Sequence, residues 1–166
     1  MTARGATAVA LAAAALCAAR AARAQGRVLP APGDGAVHVY RGERSGFPDA
    51  LRLVVRDSAS WQLVWRQLMV ARPDTAAAPA VDFRREMVVV AALGLRAQWG
   101  HAIAVDSVRR AGEEIEVVVR TVAPAAGCAP VLAVVQPVDV VRVARSERAV
   151  RFAERADSAG GCAPAR

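Results

Sequence analysis

The stretch from Val81 to Ile103 constrains the fold more than any other part of the chain. Met87 to Leu93 is apolar at every position and stops at Gly94. A strand with one wet face alternates apolar and polar residues. An unbroken apolar run bounded in this way belongs to a strand buried on both faces and central in its sheet. The run is entered through Asp82-Phe83, where an aspartate caps a turn by bonding its own backbone two residues on. It is left through Gly94 to Gly100, a segment bracketed by glycines that turns the chain. His101 to Val108 then alternates, with His101, Ile103 and Val105 on one side, as a second strand does.

The other elements follow from changes of period. Leu51 to Arg56 places Leu51, Leu53 and Val55 on one face of a half-buried strand. Asp57 or Ser58 then makes a good helix N-cap. Trp61, Val64, Trp65, Leu68 and Met69 recur at helical spacing, and Pro73 stands just beyond. One helix is predicted over about 58–71, with Trp61 and Trp65 a turn apart on its core-facing side. Arg72 to Ala80 reads as a Pro/Ala linker. A hairpin turn at Arg109–Glu114 leads to a strand at Ile115–Thr121. Val131–Val135 and Val138–Val143 are both apolar and are separated by Gln136-Pro137. Proline cannot donate to a ladder, so this pair marks a bend or a sheet edge. Ala149–Phe152 is a last short strand. Together these predict an α+β, β-rich fold, an antiparallel sheet or sandwich of about 6–8 strands with one packed α-helix.

The start of the chain reads as an export signal. Arg4 precedes an apolar core from Ala6 to Ala19, and Ala22-Arg23-Ala24 fits a small-x-small cleavage site, with Gln25 the first mature residue. The apolar run is shorter than the ~20 residues of a membrane span and is closed by Arg20 and Arg23. An uncleaved anchor helix is the competing reading. Leu16 before Cys17 argues against lipidation, which favours a small residue there. The expected organisation is therefore a signal peptide at 1–24, a flexible lead-in at 25–50 with a short strand at Ala36–Tyr40, a β-rich domain at 51–154, and a tail at 155–166. The protein is expected to be periplasmic or extracellular, with no stable membrane span after cleavage.

Loss of Arg4, Arg20 and Arg23 takes the formal net charge from +7 to +4. That mild excess, without basic residues interleaved with aromatics, gives no case for nucleic acid. All 22 basic residues are arginine, so Schiff-base and lysine general-base chemistry are excluded. The Ala, Arg, Val and Pro bias is that of a GC-rich genome. The two cysteines of the mature chain, Cys128 and Cys162, read as a disulfide in an oxidising compartment. The bond would close a loop of about 35 residues, stabilise by roughly 3–4 kcal/mol, and tether the tail. Two free thiols are the alternative. No Cys-x-x-Cys or His-x-x-x-His spacing joins these cysteines to His38 or His101, so neither metal nor cofactor is expected.

Taken in order, Trp61-x-x-x-Trp65 on a helix, then Val-Asp-Phe, Met87-Val88-Val89-Val90, Gly94 and Gly100 resemble the C-terminal domain of the PrcB family. Gln136-Pro137-Val138-Asp139-Val140-Val141-Arg142-Val143 and Val150-Arg151-Phe152 resemble that family's last two strands. The resemblance covers about Leu51 to Glu154. That family is named after a subunit of a bacterial surface protease complex, so the resemblance implies non-catalytic work as a partner that binds and stabilises an exported complex. The turn departs from the family pattern. Relatives commonly carry a Thr-Gly-Gly-Tyr type sequence, whereas this chain has Ala97-Gln98-Trp99-Gly100-His101.

The chain carries no nucleophile elbow and no phosphate-binding glycine loop. Two function classes remain. The first is an exported binding module, with Arg96, Trp99 and His101 as the candidate binding loop, because Trp and Arg dominate interfaces. The second is a small envelope enzyme or ligand-binding protein using His101 with Asp82 or Asp106, which requires a concave pocket and a carboxylate within hydrogen-bond reach of the imidazole.

Overall fold

The structure, a computed structural model, describes residues 35–70 and 77–160. Its elements are β1 (Val37–Gly42), β2 (Leu51–Val55), α1 (Ser58–Met69), β3 (Glu86–Ala92), β4 (Arg96–Gln98), β5 (Ala102–Ala111), β6 (Glu114–Ala123), β7 (Leu132–Val135), β8 (Val138–Ala144) and β9 (Val150–Ser158). The fold is strand-rich with one helix, as the periodicity predicts. A four-stranded antiparallel sheet runs β1-β8-β3-β2, and a three-stranded sheet runs β5-β6-β9.

The apolar run of β3 is explained by what covers it. Val88, Val90 and Ala92 point one way, into a core with Val138 and Val140 of β8 and with Trp61, Trp65, Leu68 and Met69 of α1. Met87, Val89 and Ala91 point the other way, into a second core with Val105, Val117, Val119, Val141 and Val143. The four-stranded sheet is therefore the middle of three layers, and β3 and β8 are its covered centre. Burying each such valine side chain stabilises by about 1.5–3 kcal/mol. Asp57 caps α1 by accepting the Ser60 N–H at 2.8 Å. Trp61 and Trp65 are core residues, 5.3 Å apart between ring centroids, and the Trp61 indole N–H donates to the Pro79 carbonyl at 3.0 Å.

Four expectations are adjusted. The described residues hold nine strands rather than about 6–8. One arises because Gly94–Gly100 contains β4, which pairs with β7. The folded unit begins at Val37, not Leu51, because β1 is hydrogen-bonded to β8 from Val37 to Gly42. The last strand continues to Ser158, beyond Phe152 and into the stretch expected as tail, and it runs parallel to β6, from Ile115↔Val150 to Ala123↔Ser158. The parallel pair exists because the chain crosses between sheets after β8. Arg145 holds that crossing with its backbone N–H on the Arg85 carbonyl and its guanidinium on the Arg56 carbonyl, both at 2.8 Å. Arg52 of β2 then clamps Glu154 of β9 through two bonds of 2.7 and 3.0 Å, tying the edges of the two sheets. Residues 1–34 and Cys162 lie outside the described residues. Among the described residues no helix is long and apolar enough to cross a membrane.

Candidate functional site

The β3–β8 ladder does not end with its sheet. Beyond Ala92↔Val138 the Leu93 N–H donates to the Pro137 carbonyl at 2.9 Å, Arg96 pairs with Val135, Gln98 pairs with Leu132, and the Trp99 N–H donates to the Val131 carbonyl at 2.9 Å. The β4–β7 ribbon is thus a continuation of the two central strands past Gly94 and Pro137. Gly94 has φ +75°, and a Cβ there would lie 2.7 Å from the Asp49 carbonyl carbon, so no other residue fits the joint without displacing backbone. Past the joint one side of the ribbon is uncovered by any described residue. Leu132 is 82% exposed and Val134 69%, and Leu95 and Val131 are also exposed. Four apolar side chains on one short ribbon are a surface that water does not favour and a partner can cover.

The candidate loop lies on this ribbon. Arg96 is in β4, half-buried, with its Nη1 donating to the Leu95 carbonyl at 2.8 Å. Trp99 ends the ribbon, its indole N–H donating to Glu43 Oε2 at 3.2 Å. With Gly100, Pro124, Cys128 and Val131 it lines a cleft of about 190 Å³. Gly100 takes φ +98°. His101 precedes β5 and is half-buried. Burial, and then the charge of Arg96, hold its imidazole below the ordinary histidine range. Arg96 and His101 are therefore close enough to interact, while Trp99 faces Glu43 and the cleft, and the sequence reading missed the exposed apolar residues of β7 beside them.

The carboxylates named for His101 are engaged elsewhere. Asp82 accepts the Arg84 N–H at 3.1 Å, and its carbonyl takes the Arg85 and Glu86 N–H groups, which is the turn-capping role expected of it. Asp106 takes both its bonds from Arg120 Nε, at 3.0 and 2.9 Å.

A different histidine meets a carboxylate. Asp139, fully buried in β8, accepts from the Val105 N–H at 2.8 Å, Arg41 Nη2 at 2.8 Å and His38 Nδ1 at 2.9 Å. Arg41 Nη2 also lies 3.0 Å from His38 Nε2. Both His38 contacts are satisfied with a proton on Nδ1 donating to Asp139 and Nε2 accepting from Arg41. Two irregular registers build it. One in β1, between His38 and Tyr40, brings His38 and Arg41 to the same face. The other in β5, between Val105 and Ser107, turns the Val105 N–H toward β8. The only signal in the sequence is a lone carboxylate inside an apolar strand. These bonds pin β1, β8 and β5 together. Among the described residues no group of three or more His, Cys, Asp or Glu is placed to hold a metal ion.

No curated protein and no solved structure matches the chain. A family model described as PrcB C-terminal matches residues 87–144. The matched segment starts in β3 and ends with β8, so it contains the whole ribbon, the hairpin of β5 and β6, and Asp139, while α1 and β9 lie outside it. The central strand pair, its exposed continuation and the β5–β6 hairpin are thus the part of the chain that is similar to the PrcB C-terminal family.

Proposed function

We propose that this chain is an exported, non-catalytic binding module that docks a protein partner through the β4–β7 ribbon. A protease complex of the cell envelope is the partner class that the family suggests. The observation that carries the reading is the exposure of Leu95, Val131, Leu132 and Val134 beside Trp99 and Arg96. An exposed apolar patch flanked by aromatic and arginine side chains has the make-up of an interface centre. Export rests on the signal-like first 24 residues, and in that compartment Cys128, beside the ribbon in the Trp99 cleft, pairs with Cys162.

The test is affinity purification of the mature protein from its native envelope, with Trp99→Ala and Leu132→Ser alongside the unaltered chain. Both variants are expected to stay folded and to lose the partner, with the thermal midpoint nearly unchanged for the exposed Leu132→Ser, since surface substitutions usually stay within about 0.5 kcal/mol. A partner retained by both variants sinks the reading. Peptide mapping of the same material without reductant is expected to give a linked Cys128–Cys162 peptide, and free thiols at both positions would remove the disulfide.

A further inference from the structure

The ribbon has a bare flank whose position in the sheet is already defined. Beside β8 lies β1, and the pairing runs to Gly42↔Val138. One more bond continues it, from the Gln136 N–H to the Glu43 carbonyl at 2.7 Å. The chain then leaves, and along Leu132–Val135 no described strand takes the place that β1 holds beside β8. Among the described residues β7 has one strand neighbour, β4. A strand with an unoccupied edge carries N–H and C=O groups ready to pair with another chain.

We propose that an extended segment of a partner protein, alternating apolar and acidic residues, adds to β7 as a third strand in the line that β1 vacates. This rests on the docking reading above and specifies its chemistry. The main chain of the segment would supply the ladder. Its apolar side chains would cover Leu132 and Val134, both on the exposed face of β7. Its acidic side chains answer the local charge. Arg44 follows Glu43 at the end of the bare flank, and Arg96 faces Val135 across the ribbon. Among the described residues neither arginine has a carboxylate within 4.0 Å, whereas nine other arginines do. Glu43, next to Arg44 in the chain, accepts from the Trp99 indole. A second copy of this chain is the poorer occupant. Pairing two β7 edges would bring the Arg44 and Arg96 charges of both copies toward each other, and a strand of four residues gives little area for a stable dimer.

The probe is a synthetic capped peptide of alternating valine and glutamate, compared with one in which arginine replaces glutamate. Two further versions are N-methylated at either the valine or the glutamate amides. In a ladder only alternate amides face the protein, so one methylation pattern must abolish binding and the other must keep it. Amide shifts confined to Leu132–Val135 and their neighbours are expected for the glutamate peptide, with binding at least about ten-fold weaker for the arginine peptide. Strand addition is overturned if both methylated peptides bind alike, if the arginine peptide binds as well, or if no shift appears at the highest soluble peptide concentration. A concentration-dependent dimer abolished by Leu132→Ser would assign the edge to a second copy instead. Loss of the native partner in the Trp99 and Leu132 variants, without discrimination between methylated peptides, would leave docking standing and remove strand addition. Discrimination with the native partner retained would do the reverse.

Discussion

β3 with β8, and β4 with β7, are two lengths of the same antiparallel pair, and they live in opposite solvents. In the first length Val88, Val89, Val90, Val140 and Val141 have no exposed surface. In the second Leu132 and Val134 are among the most exposed apolar side chains described. The residues are much alike: Val138–Val143 and Val131–Val135 are both valine-rich. Composition therefore does not decide which half is core. The covering layers do, with α1 on one face and β5 and β6 on the other, and past Gly94 and Pro137 one side of the pair is uncovered by any described residue. The lesson is that an apolar strand only reports that it will be covered, not by what. In β3 the cover belongs to the same chain. In β7 no described residue covers Leu132 and Val134.

The sharpest way to break the comparison is at the single charge inside the covered half. Asp139 is buried among apolar neighbours and is tolerated because three donors converge on it. Removing it takes away the carboxylate that receives Arg41, His38 and the Val105 N–H. Asp139→Ala is expected to lower unfolding free energy by about 3–5 kcal/mol, the cost of breaking a buried pair from one side. Urea denaturation followed by circular dichroism measures it. A loss below about 1 kcal/mol would mean that this cluster is not what pins β1 and β5 to β8.

How far these features were legible depends on how local their causes are. β3 was legible because an unbroken apolar run has no wet face to offer. The helix was legible from Asp57 and the spacing of Trp61, Trp65 and Leu68, all within one segment. β4 was not, because Arg96-Ala97-Gln98 has no periodicity of its own and becomes a strand only by pairing with β7. The His38–Arg41–Asp139 set was hidden because strand alternation assigns faces by parity, and two irregular registers change the parity on both sides of Asp139. The parallel β6–β9 pair depends on a crossing between sheets, which no local pattern records. The candidate loop was legible in part. Arg96, Trp99 and His101 stand out by type, but Leu132 and Val134 read as core until the absence of a covering layer is seen.

The joint itself can be tested next. Gly94→Ala would force a side chain into a φ of +75° and against the backbone of Asp49 and Ala50. Strained backbone of this kind costs about 1–3 kcal/mol. The loss should be spent locally, so amide exchange is expected to speed up from Leu95 to Trp99 and from Val131 to Val135 more than in β3 and β8. Uniform acceleration across all four strands would show that the ribbon and the core open as one unit, and that the two halves are not separable.

The smallest expected effect concerns His101, at the end of the ribbon. Burial, with the Arg96 charge second, depresses its folded-state pKa. The unfolded chain then takes up the proton first as pH falls through the ordinary imidazole value of about 6.5. The sign follows from linkage. Above that value His101 is uncharged in both states and contributes no pH dependence. Below it the unfolded state binds more protons, so stability falls as pH falls, and the decline levels off once the folded imidazole is protonated as well. The side chain is only partly buried, so solvent screening keeps the effect small. Between about pH 7 and pH 5 the thermal midpoint of the unaltered protein should fall more than that of His101→Gln. Arg96→Gln should move the His101 ring resonances to a higher midpoint by removing the like charge. Parallel midpoint curves, or an unmoved titration in the Arg96 variant, would show that the two side chains do not sense each other, and that the loop at the end of the ribbon is electrostatically independent of β4.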